Sequence, residues 1–181
     1  MGKHILMVTG SPHAKGTSNL LAEAFGMGAV SAGHEVKVFN AATAKVCGCM
    51  ADDACTATGR CVVQDDWQSF YEMLNWADEL VIVSPVYWMS FTSQIKRVID
   101  RLYCLFYAPE GAGVGVKRTH LIATAMDEGQ QVFDAMKMQY SYITSLLGWK
   151  EGYQLTIDHR TTTDDMVEED IQKATIMGMC L

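Results

Sequence analysis

Short unbroken apolar runs alternate along this chain with longer stretches in which apolar residues recur every three or four positions, and Gly, Pro, Asn, Asp and Ser mark the boundaries. His4 to Val8 is the first such run and reads as a buried strand that ends at Gly10-Ser11-Pro12. From Ser18 onward Leu20, Leu21, Ala24, Phe25 and Gly28 recur at helical spacing until Gly33 stops them. Glu35 to Phe39 predicts a second strand, a long cysteine-containing connection follows, and Asp65 or Asp66 is placed to cap a helix running to about Trp76. Glu79 to Ser84, with Leu-Val-Ile-Val at its centre, predicts a third strand covered on both faces. After Pro85 a long amphipathic helix is expected, with Ile95, Val98, Ile99, Leu102, Leu105 and Phe106 on one stripe and Lys96, Arg97, Asp100 and Arg101 turned away. A glycine-rich loop from Gly111 to Gly115 leads to a fourth strand at Arg118 to Thr124. Val132, Phe133, Met136, Tyr140, Ile143 and Leu147 then mark a helix, and Tyr153 to Ile157 a fifth strand. Thr162 with Asp165 looks like a capping box for a last acidic helix that turns Val167, Ile171 and Ala174 inward.

Five strands alternating with helices require right-handed crossovers and a parallel sheet covered on both faces. The expected class is therefore α/β, a three-layer sandwich with a five-stranded parallel sheet of order 2-1-3-4-5. The 181 residues suffice for one full-sized core and not for two, so residues 1–181 are expected to form a single domain. In such a sheet ligands sit beyond the carboxyl ends of the strands, where strand order reverses, and this directs attention to the loops after strands one, three and four.

Composition narrows the partners. The net charge is -7 and the basic residues are scattered, so neither nucleic acid nor an anionic membrane surface finds a footprint. The N-terminal apolar run is too short for a signal peptide or a span, and a cytoplasmic protein is expected.

The first loop, Gly10 to Leu20, offers hydroxyls at Ser11, Thr17 and Ser18 beside the start of a helix, a neutral cradle for a phosphomonoester. Helix capping and a simple turn are the plainer account of the same residues. Neither the G-x-G-x-x-G nor the G-x-x-x-x-G-K-[ST] fingerprint is present, so a dinucleotide in a Rossmann site and ATP fit poorly. In the loop after strand three, Ser84 to Ser90, the adjacent Tyr87 and Trp88 would find a stacking partner in a flat ring system, although a Trp closing the core is the alternative.

These stretches, with the helix from Gln94-Ile95-Lys96 to Ile99-Asp100-Arg101, resemble the NADPH-dependent FMN reductases and iron-sulfur flavoproteins of the flavodoxin-like superfamily, and the resemblance extends over nearly the whole chain. It implies a flavodoxin-like domain with FMN as cofactor and NAD(P)H as co-substrate. It assigns the FMN phosphate to Ser11, His13, Lys15, Gly16, Thr17, Ser18 and Asn19. The isoalloxazine ring falls to Pro85, Val86, Tyr87, Trp88, Met89 and Ser90, and a third wall to Ala125, Met126, Asp127 and Glu128. No catalytic acid or base is expected, because the cofactor carries the chemistry. His13 stands where the family commonly has Arg, Met89 where it often has Gly, and Met126-Asp127 where the third loop is often glycine-rich. The resemblance further implies a homodimer or homotetramer, for which Trp88, Leu105, Phe106 and Tyr107 would supply an aromatic surface, and a small-molecule electron acceptor such as a quinone or flavin. An FMN electron carrier without a nicotinamide site, and a non-redox binding module, are the alternatives.

Six cysteines are present, four of them in the segment Cys47, Cys49, Cys55 and Cys61. It resembles the cluster segment of the iron-sulfur flavoproteins, whose pattern is C-x2-C-x2-C-x5-C. Cys49, Cys55 and Cys61 match three positions, Asp52 occupies the second, and Cys47 is an extra thiol. A [4Fe–4S] cluster ordinarily needs four thiolates, and the C-x-C-x5-C spacing does not suit structural zinc, so packed or redox-sensitive thiols without a metal are expected; a cluster on Cys47, Cys49, Cys55 and Cys61 is the alternative, Cys47 substituting only if the loop rearranged. Cys104 and Cys180 read as packed residues. Gly111 to Gly115 precedes a strand and reads as a loop, not a nucleotide fingerprint. His159 could face the flavin or cap the sheet.

Overall fold

The apolar runs become the five strands of one parallel sheet: β1 (His4–Thr9), β2 (Glu35–Asn40), β3 (Glu79–Pro85), β4 (Arg118–Thr124) and β5 (Lys150–Ile157). Their order is β2-β1-β3-β4-β5, and every pairing is parallel. The computed structural model describes residues 2–108 and 114–181, so most of the expected loop from Gly111 to Gly115 lies outside the described residues. Among the described residues five α-helices connect or flank the strands: α1 (Thr17–Ser31), α2 (Trp67–Trp76), α3 (Ser93–Asp100), α4 (Asp134–Leu146) and α5 (Glu168–Met179).

Alternation along each strand sends neighbouring residues to opposite faces of the sheet, and each face meets its own helix layer. Ile5 and Met7 join Val81, Val83 and Ile122 beneath Leu21 and Phe25 of α1 and Ala174 and Met177 of α5. Leu6 and Val8 join Leu80, Ile82 and Leu121 beneath Trp67, Leu74, Ile95, Phe133 and Tyr140 on the other side. Two glycines set the spacing of α1 against α5. A β-carbon at Gly28 would lie 2.1 Å from the Thr175 carbonyl oxygen, and one at Gly178 would lie 2.1 Å from that of Phe25.

The long helix expected after Pro85 is α3 for its first two turns and then tightens into a 3-10 stretch, Arg101–Tyr107. Arg101, read as facing outward, is 2% exposed. Its Nη1 donates to both carboxylate oxygens of Asp65, at 2.7 and 2.6 Å, its Nη2 donates to the Val63 carbonyl, and its guanidinium lies over the Trp67 ring. Asp65 also accepts the N–H of Trp67 at 3.0 Å, so it caps α2 and holds Arg101 at once. The Thr162–Asp165 capping box exists but closes a 3-10 turn, Thr163–Asp165. The last helix starts later, with the Asp170 carboxylate accepting the Val167 N–H at 3.4 Å. Val167 is half-exposed and Cys180 is exposed, contrary to the inward positions expected for both.

At the amino-terminal edge of the sheet the structure buries a polar triad that pattern reading overlooks. His120 of β4 is buried, its Nε2 lies 2.9 Å from Glu79 Oε2, and its Nδ1 accepts the Tyr153 N–H at 2.9 Å, which leaves the ring proton on Nε2. Lys3 Nζ reaches the other Glu79 oxygen at 2.7 Å. The ring fits because the β4–β5 register slips between Thr119 and Leu121 and because Gly152 opposite carries no β-carbon, which would lie 2.3 Å from it.

Candidate functional site

Beyond the carboxyl ends of β1, β3 and β4 the three expected loops close around a cavity of about 580 Å³, within the range of small-molecule sites. The first loop descends from β1 through Gly10, where a β-carbon would lie 2.2 Å from Ile95 of α3. Thr92 fastens the same loop: its hydroxyl donates to the Gly10 carbonyl at 3.0 Å and accepts the Ile95 N–H as the N-cap of α3. The loop then enters α1 at Gly16. No side chain caps this helix and no acidic residue lies in its first turn, so the N–H groups of Thr17, Ser18 and Asn19 are left without an intrahelical or capping acceptor. A helix start of this kind carries a partial positive charge and suits an anion.

Two side chains at that point bear on an occupant. The Thr17 hydroxyl bonds that of Thr124 at 2.9 Å, tying the start of α1 to the end of β4. Ser18 is 1% exposed and its hydroxyl has no partner among the described residues, an arrangement that costs free energy until an acceptor arrives. Uncapped N–H groups, an orphan hydroxyl and the nearby Lys15 fit a phosphate.

The cavity wall contains Ser11, His13, Lys15, Gly16, Thr17 and Ser18 of the expected phosphate residues, Pro85, Val86 and Tyr87 of the second loop, and Met126 of the third. The remaining expected residues lie outside it. Asn19 braces the loop by donating to the His13 and Ala14 carbonyls, at 3.0 and 3.3 Å. Trp88 and Met89 form the tip of a tight turn with φ of 49° and 66°, and Tyr87 and Ser90 exchange backbone hydrogen bonds of 2.9 and 3.1 Å across it. This turn points Trp88 into solvent, 99% exposed. Ser90 donates to Gln139 of α4 at 2.9 Å. Ala125 is buried and paired with Ile157, the Asp127 carbonyl accepts the His159 N–H, and Glu128 is exposed.

One wall of the cavity comes from Arg160, Thr161, Thr162 and Thr163, in the loop after β5. Pattern reading missed it, because nothing local shows that this loop folds back over the start of α1. Arg160 donates from Nε to Asp170 at 2.8 Å and from Nη1 to two carbonyls, and so brings a fixed cation to the side of the cavity. His159 is exposed at φ 53° and closes the sheet end through its N–H to Asp127.

A second cavity, of about 350 Å³, lies under the cysteine segment and is lined by Cys49, Cys55, Cys61 and Cys104, with Asp52, Asp100, Arg101 and Tyr103 among the rest of its wall. Burial pushes the Cys104 thiol up to about 11 and raises that of Cys55. Cys47 is apart: its N–H donates to Asp65 at 2.9 Å, and a hydrogen bond with that carboxylate holds its thiol up. Among the described residues no three His, Cys, Asp or Glu side chains converge on a single metal ion.

Comparison with known proteins gives this geometry a lineage. An iron-sulfur flavoprotein of Archaeoglobus fulgidus is 36% identical over 104 residues, 58% of this chain and 53% of that protein. The chain spans about half the length of the curated relatives it matches. Among solved structures, an NAD(P)H:quinone oxidoreductase from Methanothermobacter marburgensis superposes with a TM-score of 0.83 at 18% identity, covering 99% of this chain and 96% of that one. A flavodoxin from the domain Archaea superposes with a TM-score of 0.61 at 13% identity, covering 98% and 94%. At such identities the likeness establishes the flavodoxin-like fold. Residues 4–144 match the family described as NADPH-dependent FMN reductase, and the chain belongs to that family.

Proposed function

We propose that the chain is an FMN-dependent oxidoreductase that takes hydride from NAD(P)H and delivers electrons to a small acceptor such as a quinone or a flavin. The observation that carries this reading is the first cavity, where the uncapped start of α1 and the orphan Ser18 hydroxyl meet the Tyr87 and Met126 walls. When bound, FMN supplies the hydride-accepting and electron-donating chemistry. The protein's residues bind and orient it. The N–H groups of Thr17 to Asn19 and the free hydroxyl of Ser18 would hold the phosphate, while Lys15 and Arg160 contribute positive charge. The Thr17–Thr124 and Thr92–Gly10 bonds keep the phosphate end and the ring end in fixed relation. Tyr87 and Pro85 supply a flat apolar wall, and the turn at Trp88 and Met89 overhangs solvent on the side from which a nicotinamide or an acceptor would arrive.

Titrating the protein with FMN and then, without oxygen, with NADH or NADPH tests this. Stoichiometric FMN binding followed by bleaching of the flavin band supports the proposal. Bound FMN that neither nucleotide bleaches would instead make the chain an electron carrier, a reading favoured by the naming of the curated relatives as iron-sulfur flavoproteins. Failure to bind FMN would leave the non-redox binding module.

A further inference from the structure

The four cysteines of the second cavity come from two distant parts of the chain: Cys49, Cys55 and Cys61 from the connection after β2, and Cys104 from the 3-10 stretch after α3. We infer that these four thiols are the ligand set of a [4Fe–4S] cluster, with Cys104 supplying the thiolate that the segment lacks where Asp52 stands.

The donor count comes first. The segment by itself holds only three cysteines in the cluster spacing, one short of the four thiolates that such a cluster takes. The fold makes up the number. Cys104 is 1% exposed within the core, yet it lines the same cavity as Cys49, and Cys55 and Cys61 are half-buried against the same apolar cluster. Soft thiolates in a largely apolar enclosure suit iron–sulfur chemistry better than a hard carboxylate does. Asp52 has another task, since its Oδ1 accepts the Ala54 N–H at 3.1 Å at the start of the 3-10 turn Ala54–Ala57.

Size and charge agree with a cluster and disagree with a single ion. Tetrahedral zinc sits about 2.3 Å from each of its sulfurs, and among the described residues no three His, Cys, Asp or Glu side chains are placed to share one metal ion. A cubane carries its four ligands on the outer corners of a larger body, which the cavity of about 350 Å³ leaves room to place. Four thiolates around such a core leave net negative charge, and Arg101 is the buried cation beside it. Its Nη1 is committed to Asp65, but its Nε has no acceptor among the described residues. A buried donor held at the wall of a thiolate site is the kind of outer partner that stabilises one.

The inference stands apart from the flavin reading, and its test reads metal content. The full chain is reconstituted without oxygen with ferrous iron and sulfide, desalted, assayed for iron and sulfide, and examined by EPR after dithionite reduction. The wild type should retain about four irons and four sulfides per chain and give the signal of a reduced [4Fe–4S] cluster. Asp52→Ala should retain the same amount. Cys104→Ala, with its folding checked by circular dichroism, should lose the four-iron signal and at least about a quarter of the iron. Adding Asp52→Cys to Cys104→Ala should restore both. The inference is overturned if Cys104→Ala keeps the wild-type cluster, if Asp52→Ala loses it, or if the double variant folds without recovering it. It is overturned equally if the wild type takes up zinc in preference or retains no iron and sulfide. Should Cys104→Ala fail to fold, Cys104→Ser takes its place, and Cys47→Ala should keep the wild-type cluster; its loss there would overturn the inference by making Cys47 the fourth ligand.

Discussion

At the scale of single residues, two buried polar groups behave in opposite ways. Ser18 hides a hydroxyl with nothing to bond, whereas Glu79 is surrounded by partners. Removing the Ser18 hydroxyl should therefore leave the unliganded protein as stable as before, or slightly more so. If the hydroxyl holds the FMN phosphate, Ser18→Ala should raise the FMN dissociation constant about 10- to 100-fold, the worth of one hydrogen bond to a charged group. Thermal melts and a flavin titration on the same samples separate the two effects, and unchanged affinity would remove Ser18 from the site. For Glu79, burial pushes the carboxyl up, but the His120 ring and the Lys3 ammonium outweigh it and hold its pKa below the usual value. The group is thus more readily ionised in the folded chain than in the unfolded one. Its stabilisation is present in full above about pH 4.3, the ordinary value for Glu, and is lost as pH falls through the lower folded value. Glu79→Gln should cost about 1–3 kcal/mol at neutral pH, and urea unfolding should show the gap from wild type closing below about pH 4.

At the scale of elements, the packing of α1 on α5 sets two magnitudes against each other. Alanine in place of a mid-helix glycine gains about 1 kcal/mol of helix propensity, but at Gly28 the new β-carbon would drive into the Thr175 carbonyl, where overpacking costs about 1–3 kcal/mol. Gly28→Ala should therefore destabilise. Gly26→Ala, two residues along the same helix, would meet only Met7 Cε at 3.5 Å and should stabilise. Chemical denaturation of the pair reads the opposite signs directly. The elements themselves were largely legible: β3 and β4 announce themselves as apolar runs between breakers, and α1 by its period and by Gly33 at φ 86°. The turn from α3 into a 3-10 stretch was not, because Leu102 and Leu105 satisfy the helical period equally well and the cause lies elsewhere. Arg101 goes inward to meet Asp65, a partner that local periodicity cannot show. The candidate cavity was legible in its first loop, where hydroxyls precede a helix, and half legible in the second, where the aromatic pair divides between cavity and solvent. The wall from Arg160 to Thr163 was hidden because it depends on where α5 docks.

At the scale of the whole molecule, the turn at Trp88 and Met89 is the place to look for a partner. Two non-glycine residues at positive φ are uncommon, and holding one of the largest apolar side chains fully in water costs apolar burial. Tyr103, Phe106 and Tyr107 make an exposed aromatic group of their own, and the turn bearing Trp88 is suited to meet a second copy of the chain. If copies associate there, Trp88→Ser should shift the sedimentation coefficient towards that of a monomer while leaving the melting temperature of the dilute protein nearly unchanged. An unaltered oligomer would place the interface elsewhere.

The glycine-set contact of α1 with α5 also governs the order in which the molecule can be finished. The strand and helix beside the first cavity precede in the chain both the loop bearing Arg160 and the helix that clasps them. A nascent chain therefore carries a half-walled cavity, with Phe25 and Ala29 uncovered, until the Arg160 loop and α5 have been made and have packed back across the sheet.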